Sequence, residues 1–443
     1  MALLRPIRAR LLIVAAVLAF VVALVVFAAI NRTSSGTAGQ GGDPAVQGAA
    51  TTERPRTTAA RIANLQSVLR AQPSNAQLWA QLGQSYYQRV RETGDFGYYA
   101  RAQGVLDTAV RLDPRNVDAQ VGLATIALAR HDFRGGLAYA RAAQRLAPDR
   151  NAFYPALIDG LVETGAYPAA DQAIQGFVDR SPTLASYARV SYFRELHGDL
   201  SGAAQALQFA VSAGAGVPEN GAYVQTLLGD VEFLQGHLEG ARRAYSQALA
   251  SVPSYPLAGA GLAQVEAATG GYAAATRRLR AVVARLPLPQ FIISLGEIEL
   301  AAGRSAQARN DFALIGAEEA LLHANGINTD VDLALYEASH GDAHRAVILG
   351  RQSWAEAPSV RSADALGWAL TRAGDPRAGL TWARRALGLG SVDPNFLYHA
   401  GVAARGAGQR TQARAYLQRA LARNPRFSPL YGPLAARALG QLR

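Results

Sequence analysis

Residues 221–253 read GAYVQTLLGDVEFLQGHLEGARRAYSQALASVP, and variants of that stretch recur almost to the C-terminus. Leu227, Leu228, Val231 and Leu234 lie three and four residues apart and share one face of a helix. Gly236 interrupts that helix, and Leu238, Ala241, Tyr245, Ala248 and Leu249 form the apolar face of a second. Pro253 closes it, because its ring has no N–H and disfavours helix before it. Gly229 and Ala241 are small where the two helices approach, which suits an interaxial distance of ~8–10 Å. The unit is a helical hairpin, too small to bury its apolar faces alone, so successive copies must stack.

The period confirms the unit. Pro114, Pro148 and Pro182 lie 34 residues apart, as do Pro253 and Pro287. The turn glycines keep step from Gly236 to Gly270 and Gly303, and again from Gly341 to Gly374 and Gly408. The fold class is all-α: a solenoid of about ten hairpins over residues 59–428, in which each hairpin is expected to touch only its neighbours. Residues 59–72 read as an unpaired opening helix and 429–443 as a short capping helix. Three places break the rhythm. RVRETGDFGYY (89–99) holds an insertion of about seven residues, and SAGAGVPEN (212–220) stretches one connection. The interval from Gly303 to Gly341 is 38 residues, which predicts a lengthened second helix.

The chain opens with a basic stretch, residues 1–10, carrying Arg5, Arg8 and Arg10. Residues 11–30, LLIVAAVLAFVVALVVFAAI, are twenty apolar residues, enough for a helix to cross a hydrocarbon core of ~30 Å. The flanking arginines predict a single-pass anchor in the cytoplasmic membrane, N-terminus inside and the solenoid outside. A signal peptide cleaved near Ala28 and Ala29, releasing a secreted protein, is the alternative. Residues 31–58 are a Gly-, Ser-, Thr- and Pro-containing spacer with a reach of roughly 30 Å.

Trp79, Leu82, Gly83, Tyr86, Ala102 and Pro114 fill the slots of the pattern W…LG…Y…A…P. In the last hairpin Ala400 stands in the leucine slot, followed by Gly401, Gly408, Ala413, Leu417, Ala420 and Pro425. The chain thus resembles the tetratricopeptide-repeat superfamily over about residues 60–428, and as a whole it looks like a bacterial membrane-anchored member. The resemblance implies a right-handed superhelix whose first helices line a concave groove for partner proteins or peptides. Chaperone-binding members grip a carboxylate with lysine and asparagine, and this chain has no lysine.

Placed on that groove, the first helices offer Gln84, Tyr87, Asp159, Glu163, Tyr192, Glu195, Asp230, Phe233, Glu297, Asp364, Trp368, Arg372, Tyr398 and Arg405 as candidate partner-binding residues. Acids and aromatics occupy the middle hairpins, and arginines join them in the last two. Aromatic anchors dominate protein interfaces.

Catalysis finds no foothold. The chain has no cysteine, which excludes thiolate chemistry, and no nucleophile elbow or phosphate loop occurs. His131, His197, His237 and His340 sit at hairpin turns, where an imidazole can cap the preceding helix, while His323 and His399 have no obvious partner. No metal or other cofactor is expected. The basic residues behind the net charge of +11 are all arginines, spread over exposed faces of second helices, as at Arg242 and Arg277, and not gathered in one block, so nucleic acid is not an expected partner. The sequence therefore predicts a non-enzymatic membrane-anchored scaffold for protein or peptide partners. A periplasmic accessory factor for envelope biogenesis, or for cofactor or metal delivery to a membrane enzyme, is the rival reading; an enzyme is the third.

Overall fold

The computed structural model describes residues 57–442. The basic stretch, the apolar segment 11–30 and nearly all of the spacer lie outside the described residues. Among the described residues no helix is long and apolar enough to cross a membrane.

Helix α1 (Thr58–Ala71) leads into ten hairpins. The first five are α2–α3 (Ala76–Thr93, Gly97–Leu112), α4–α5 (Val117–Ala129, Phe133–Leu146), α6–α7 (Tyr154–Glu163, Tyr167–Arg180), α8–α9 (Leu184–Leu196, Leu200–Ser212) and α10–α11 (Pro218–Leu234, Leu238–Ser251). Next come α12–α13 (Pro256–Ala268, Tyr272–Arg285) and α14–α15 (Pro289–Ala301, Ser305–Phe312). A short α16 (Ile315–Ala324) intervenes before α17–α18 (Asp330–His340, Ala343–Glu356). The last two are α19–α20 (Val360–Arg372, Pro376–Ala386) and α21–α22 (Pro394–Gly406, Arg410–Arg423), closed by α23 (Tyr431–Gly440).

Local chemistry sets these boundaries. Asn75, Asn116, Asp132, Asp199 and Asp375 each accept a bond from a first-turn amide, satisfying donors the helix leaves free. Proline begins α12, α14, α20 and α21, where a missing N–H costs nothing. Within a hairpin, close approach depends on glycine. A Cβ on Gly229 would lie 2.5 Å from the Tyr245 ring, and Gly261 of the next hairpin abuts the same ring. Tyr245 is thus clasped between two first helices.

The inserted residues of 89–99 lengthen both helices of the first hairpin. The segment 303–341 departs from expectation: the second helix is broken, not lengthened. Phe312 folds into the space over Gly296, with its ring 4.5 Å from that of His340, so α15 ends there and the chain turns before α16.

The expectation that hairpins touch only their neighbours is also corrected. The array coils tightly enough for its second turn to rest on its first. The amide of Asn328 donates to the Arg130 carbonyl at 2.9 Å. The amide of Val360 donates to the Tyr167 hydroxyl at 2.8 Å, 193 residues away. Gly198 packs on the Gly390 carbonyl, and the Asn424 side-chain amide donates to the Phe233 carbonyl at 2.7 Å across 191 residues. At the start of this seam, Gly94 faces Arg285 and Leu286. The pattern is regular: the turn inside one hairpin meets the junction that follows the fifth hairpin beyond it. Gly198 and Gly236 have φ of 81° and 80°, and a Cβ at either would press on the next turn's backbone.

Candidate functional site: the inner face of the superhelix

Because the turns close on each other, the side chains that first helices point inward meet protein on all sides. Gln84, Tyr87, Asp159, Glu163, Tyr192, Asp230, Phe233, Glu297, Asp364, Trp368 and Tyr398 are all buried. Glu195 and Arg372 are half-buried, and Arg405 alone of the candidates is exposed. The structure therefore gathers the candidates on one inner surface, but as a polar interior more than an open groove.

These groups satisfy one another across hairpins. Arg189 Nη2 donates to Asp159 Oδ2 at 2.5 Å, and the same guanidinium reaches the carbonyls of Pro155 and Ala185. Tyr192 donates its hydroxyl to Glu163 Oε1 at 2.9 Å. Arg361, also buried, stands 3.9 Å from Glu163 and is acted on by Asp332 as well. Tyr245 donates to Asp230 Oδ1 at 2.7 Å. His399 contacts Asp364 at 2.9 Å and stacks 4.3 Å from Trp368, whose Nε1 donates to Ser339 at 2.7 Å. His399, without an evident partner in the sequence, is thus engaged through Nδ1 and its ring face, while its Nε2 is buried without a hydrogen-bond partner.

Burial sets the protonation of the acids. The Asp230 carboxyl is pushed up to about 7 by burial, against the pull of its bond from Tyr245. Glu195 is pushed up to about 8 by burial and then by the charges of Asp393 and Asp230. Burial raises Asp159 as well, opposed by Arg189. The turn histidines behave individually. His197 bonds the Phe193 carbonyl at 2.8 Å as a cap should, whereas His237 instead meets the Glu232 carboxylate at 2.9 Å. His131 reaches across the seam to the Asn328 carbonyl, and burial lowers its pKa to about 4, leaving it neutral. His340 stacks on Phe312. Among the described residues no group of three or more His, Asp or Glu side chains is placed to hold a metal ion.

Sequence reasoning missed Arg189, Arg361, Asp332 and His399. A signal existed. Asp159–Arg189, Glu163–Tyr192 and Ser339–Trp368 are separated by 30, 29 and 29 residues, one helical turn short of the repeat. Complementary residues at that offset on consecutive first helices mark a ladder between hairpins.

At the C-terminal end of the inner face α23 packs on Tyr398, with the Tyr431 ring 5.1 Å away. There Arg372, Arg437 and Arg405 act electrostatically on the buried Tyr398 hydroxyl, in that order of strength. Arg372 lies 5.4 Å over the Trp368 ring, while Arg405 and Arg437 are exposed. None of the three forms an ion pair among the described residues.

Fold and site define a closed helical-hairpin solenoid with a polar interior. Residues 94–151, 196–256 and 365–429 match the family model for the tetratricopeptide repeat, so the chain carries tetratricopeptide repeats in these three regions. No curated protein matches it in sequence. Among solved structures it is similar to the crystal structure of the APC/C hetero-tetramer Cut9–Hcn1, at 14% identity and a TM-score of 0.40, covering 87% of this chain and 84% of that one. It is also similar to the crystal structure of MamA, at 18% identity and a TM-score of 0.30, covering 35% of this chain and 91% of that one.

Proposed function

We propose that the chain is a non-catalytic scaffold, anchored to the cytoplasmic membrane through residues 11–30, that receives an acidic segment of a protein partner at the C-terminal end of its superhelix. Tetratricopeptide repeats suggest protein interaction in general. One observation carries the finer reading. Most of the inner face is consumed by internal pairs, while Arg372, Arg405 and Arg437 carry uncompensated charge beside Trp368 and Tyr398. Arginine is the residue that anchors carboxylates at interfaces, and here the buried Trp368 and Tyr398 back the arginines from within. The acidic middle of the inner face, from Asp159 to Glu297, serves cohesion between hairpins in this reading.

Site-specific photo-cross-linking in intact cells tests the proposal. A photoreactive residue at position 405 should yield a discrete adduct that disappears when Arg372 and Arg437 are both changed to Gln. One at position 277, on the outer face, should yield none. Equal adducts at 277, or an adduct at 405 indifferent to the two changes, would place the partner surface elsewhere.

A further inference from the structure

Two of the irregularities in the repeat rhythm converge at one place. The insertion after residue 88 extends α2 to Thr93, and the stretched connection before residue 221 lets α10 begin early, at Pro218. The two extensions meet: Arg91 Nη2 lies 3.1 Å from Glu219 Oε1 and 3.3 Å from Asn220 Oδ1, and Gln88 donates to Glu219 at 3.1 Å. Between this contact and the loops at Val252–Leu257 and Arg285–Leu286 lies a cavity of about 880 Å³, counting its open mouth. Further along the seam, direct hydrogen bonds join the same kinds of loop. Here Gly94 meets the Leu286 side chain, and among the described residues no backbone hydrogen bond joins the two loops.

The walls are apolar, supplied by Val90, Val252, Leu257 and Leu286. The acids at the cavity are already engaged. Glu219 holds Arg91 and Gln88, and Glu92 accepts from Thr58 and pairs with Arg89. The exposed Arg285 at the rim has no ion pair among the described residues, and Arg91 Nε is buried without a hydrogen-bond partner. The unspent capacity is thus hydrogen-bond donation and positive charge beside an apolar chamber. Small-molecule pockets have this form, apolar walls with a few placed polar groups.

We propose that this cavity is a binding site for a small amphipathic carboxylate, its apolar tail between Val90, Val252 and Leu286 and its head at Arg285. Because the walls come from both superhelical turns, occupancy favours the closed array. The site is separate from the C-terminal end, so its failure leaves the partner proposal untouched.

Calorimetric titration of the purified chain with octanoate tests this, with acetate, octanol and octylammonium as comparisons. Octanoate should bind saturably at one site and raise the melting temperature with concentration, acetate should not bind, and octanol and octylammonium should bind more weakly. Arg285→Gln should weaken octanoate about two- to fivefold, the scale of an exposed ionic contact. Val252→Trp should fill the chamber and abolish binding. Thr93→Trp, at the exposed lip, serves the same end with no buried change if Val252→Trp does not fold. Absence of saturable octanoate binding, equal or tighter binding of octylammonium, or full affinity in a folded tryptophan variant would each overturn the assignment.

Discussion

The side-chain amide of Asn424 donates to the main-chain carbonyl of Phe233 at 2.7 Å, joining the last hairpin's exit to the fifth hairpin's turn. Asn424 is buried, and its Oδ1 also receives the Arg426 amide at 2.8 Å. Asn424→Ala removes this bond, while the Phe233 carbonyl keeps the Gly236 amide at 2.9 Å, and should destabilise the protein by ~0.5–1.5 kcal/mol. Hydrogen exchange should then quicken in two stretches, near 233–237 and near 424–428. Change confined to the C-terminal stretch would show that the seam carries no energy.

Gly229→Leu makes a related case. Its side chain would collide with the Tyr245 ring, which also bonds Asp230, and overpacking of this kind costs ~1–3 kcal/mol. In an open solenoid the loosening would stay around 222–253. In the closed one it should spread through Phe233 to Asn424, as exchange in that region would report.

The inner acids predict a pH dependence. Burial lifts the carboxyl of Asp230 to about 7 and that of Glu195 to about 8 in the folded protein, each above its ordinary value of 3.8 or 4.5. The folded state therefore holds more protons than the unfolded state between those limits, so stability falls as pH rises. Their stabilising contribution is full below pH ~4 and lost as pH passes ~7–8. Melting temperature should decline from pH 5 to pH 8, and Asp230→Asn should flatten that slope. An unchanged slope in the variant would show that Asp230 is ionised throughout.

Arg361 is the cation shared by Glu163, Tyr192 and Asp332. Arg361→Ala would leave buried acids uncompensated, which costs ~3–5 kcal/mol. Urea denaturation should show a correspondingly lower midpoint at neutral pH, with part of the loss recovered at pH 5, where Asp332, raised to about 6 by burial, takes up a proton. A loss independent of pH would point to packing alone.

Much of the fold is legible in the sequence, because each hairpin repeats its own instructions: caps at Asn75 and Asp375, turn glycines at 236 and 408, prolines at 256 and 394. The closure is not. Superhelical pitch accumulates from small rotations fixed by contacts such as Gly229 and Gly261 on Tyr245, and no single repeat encodes the sum. The same gap explains the inner face. Periodicity shows that Asp159, Glu163 and Asp230 share the polar side of their helices, but it cannot distinguish water from a polar interior. Arg189 and Arg361 were hidden for another reason: in a chain whose basic residues are all arginine, two buried ones do not stand out by composition.

Closure of the superhelix is most directly tested by electron–electron distance measurement, and the absence of native cysteine makes labelling clean. Arg134 and Glu356 are exposed on opposite sides of the seam, where Arg134 donates to the Ala355 carbonyl at 2.6 Å. Spin labels at Arg134→Cys and Glu356→Cys should give a single narrow peak at short distance. A broad distribution at long distance would mean that the turns stand apart in solution and that the inner face is open.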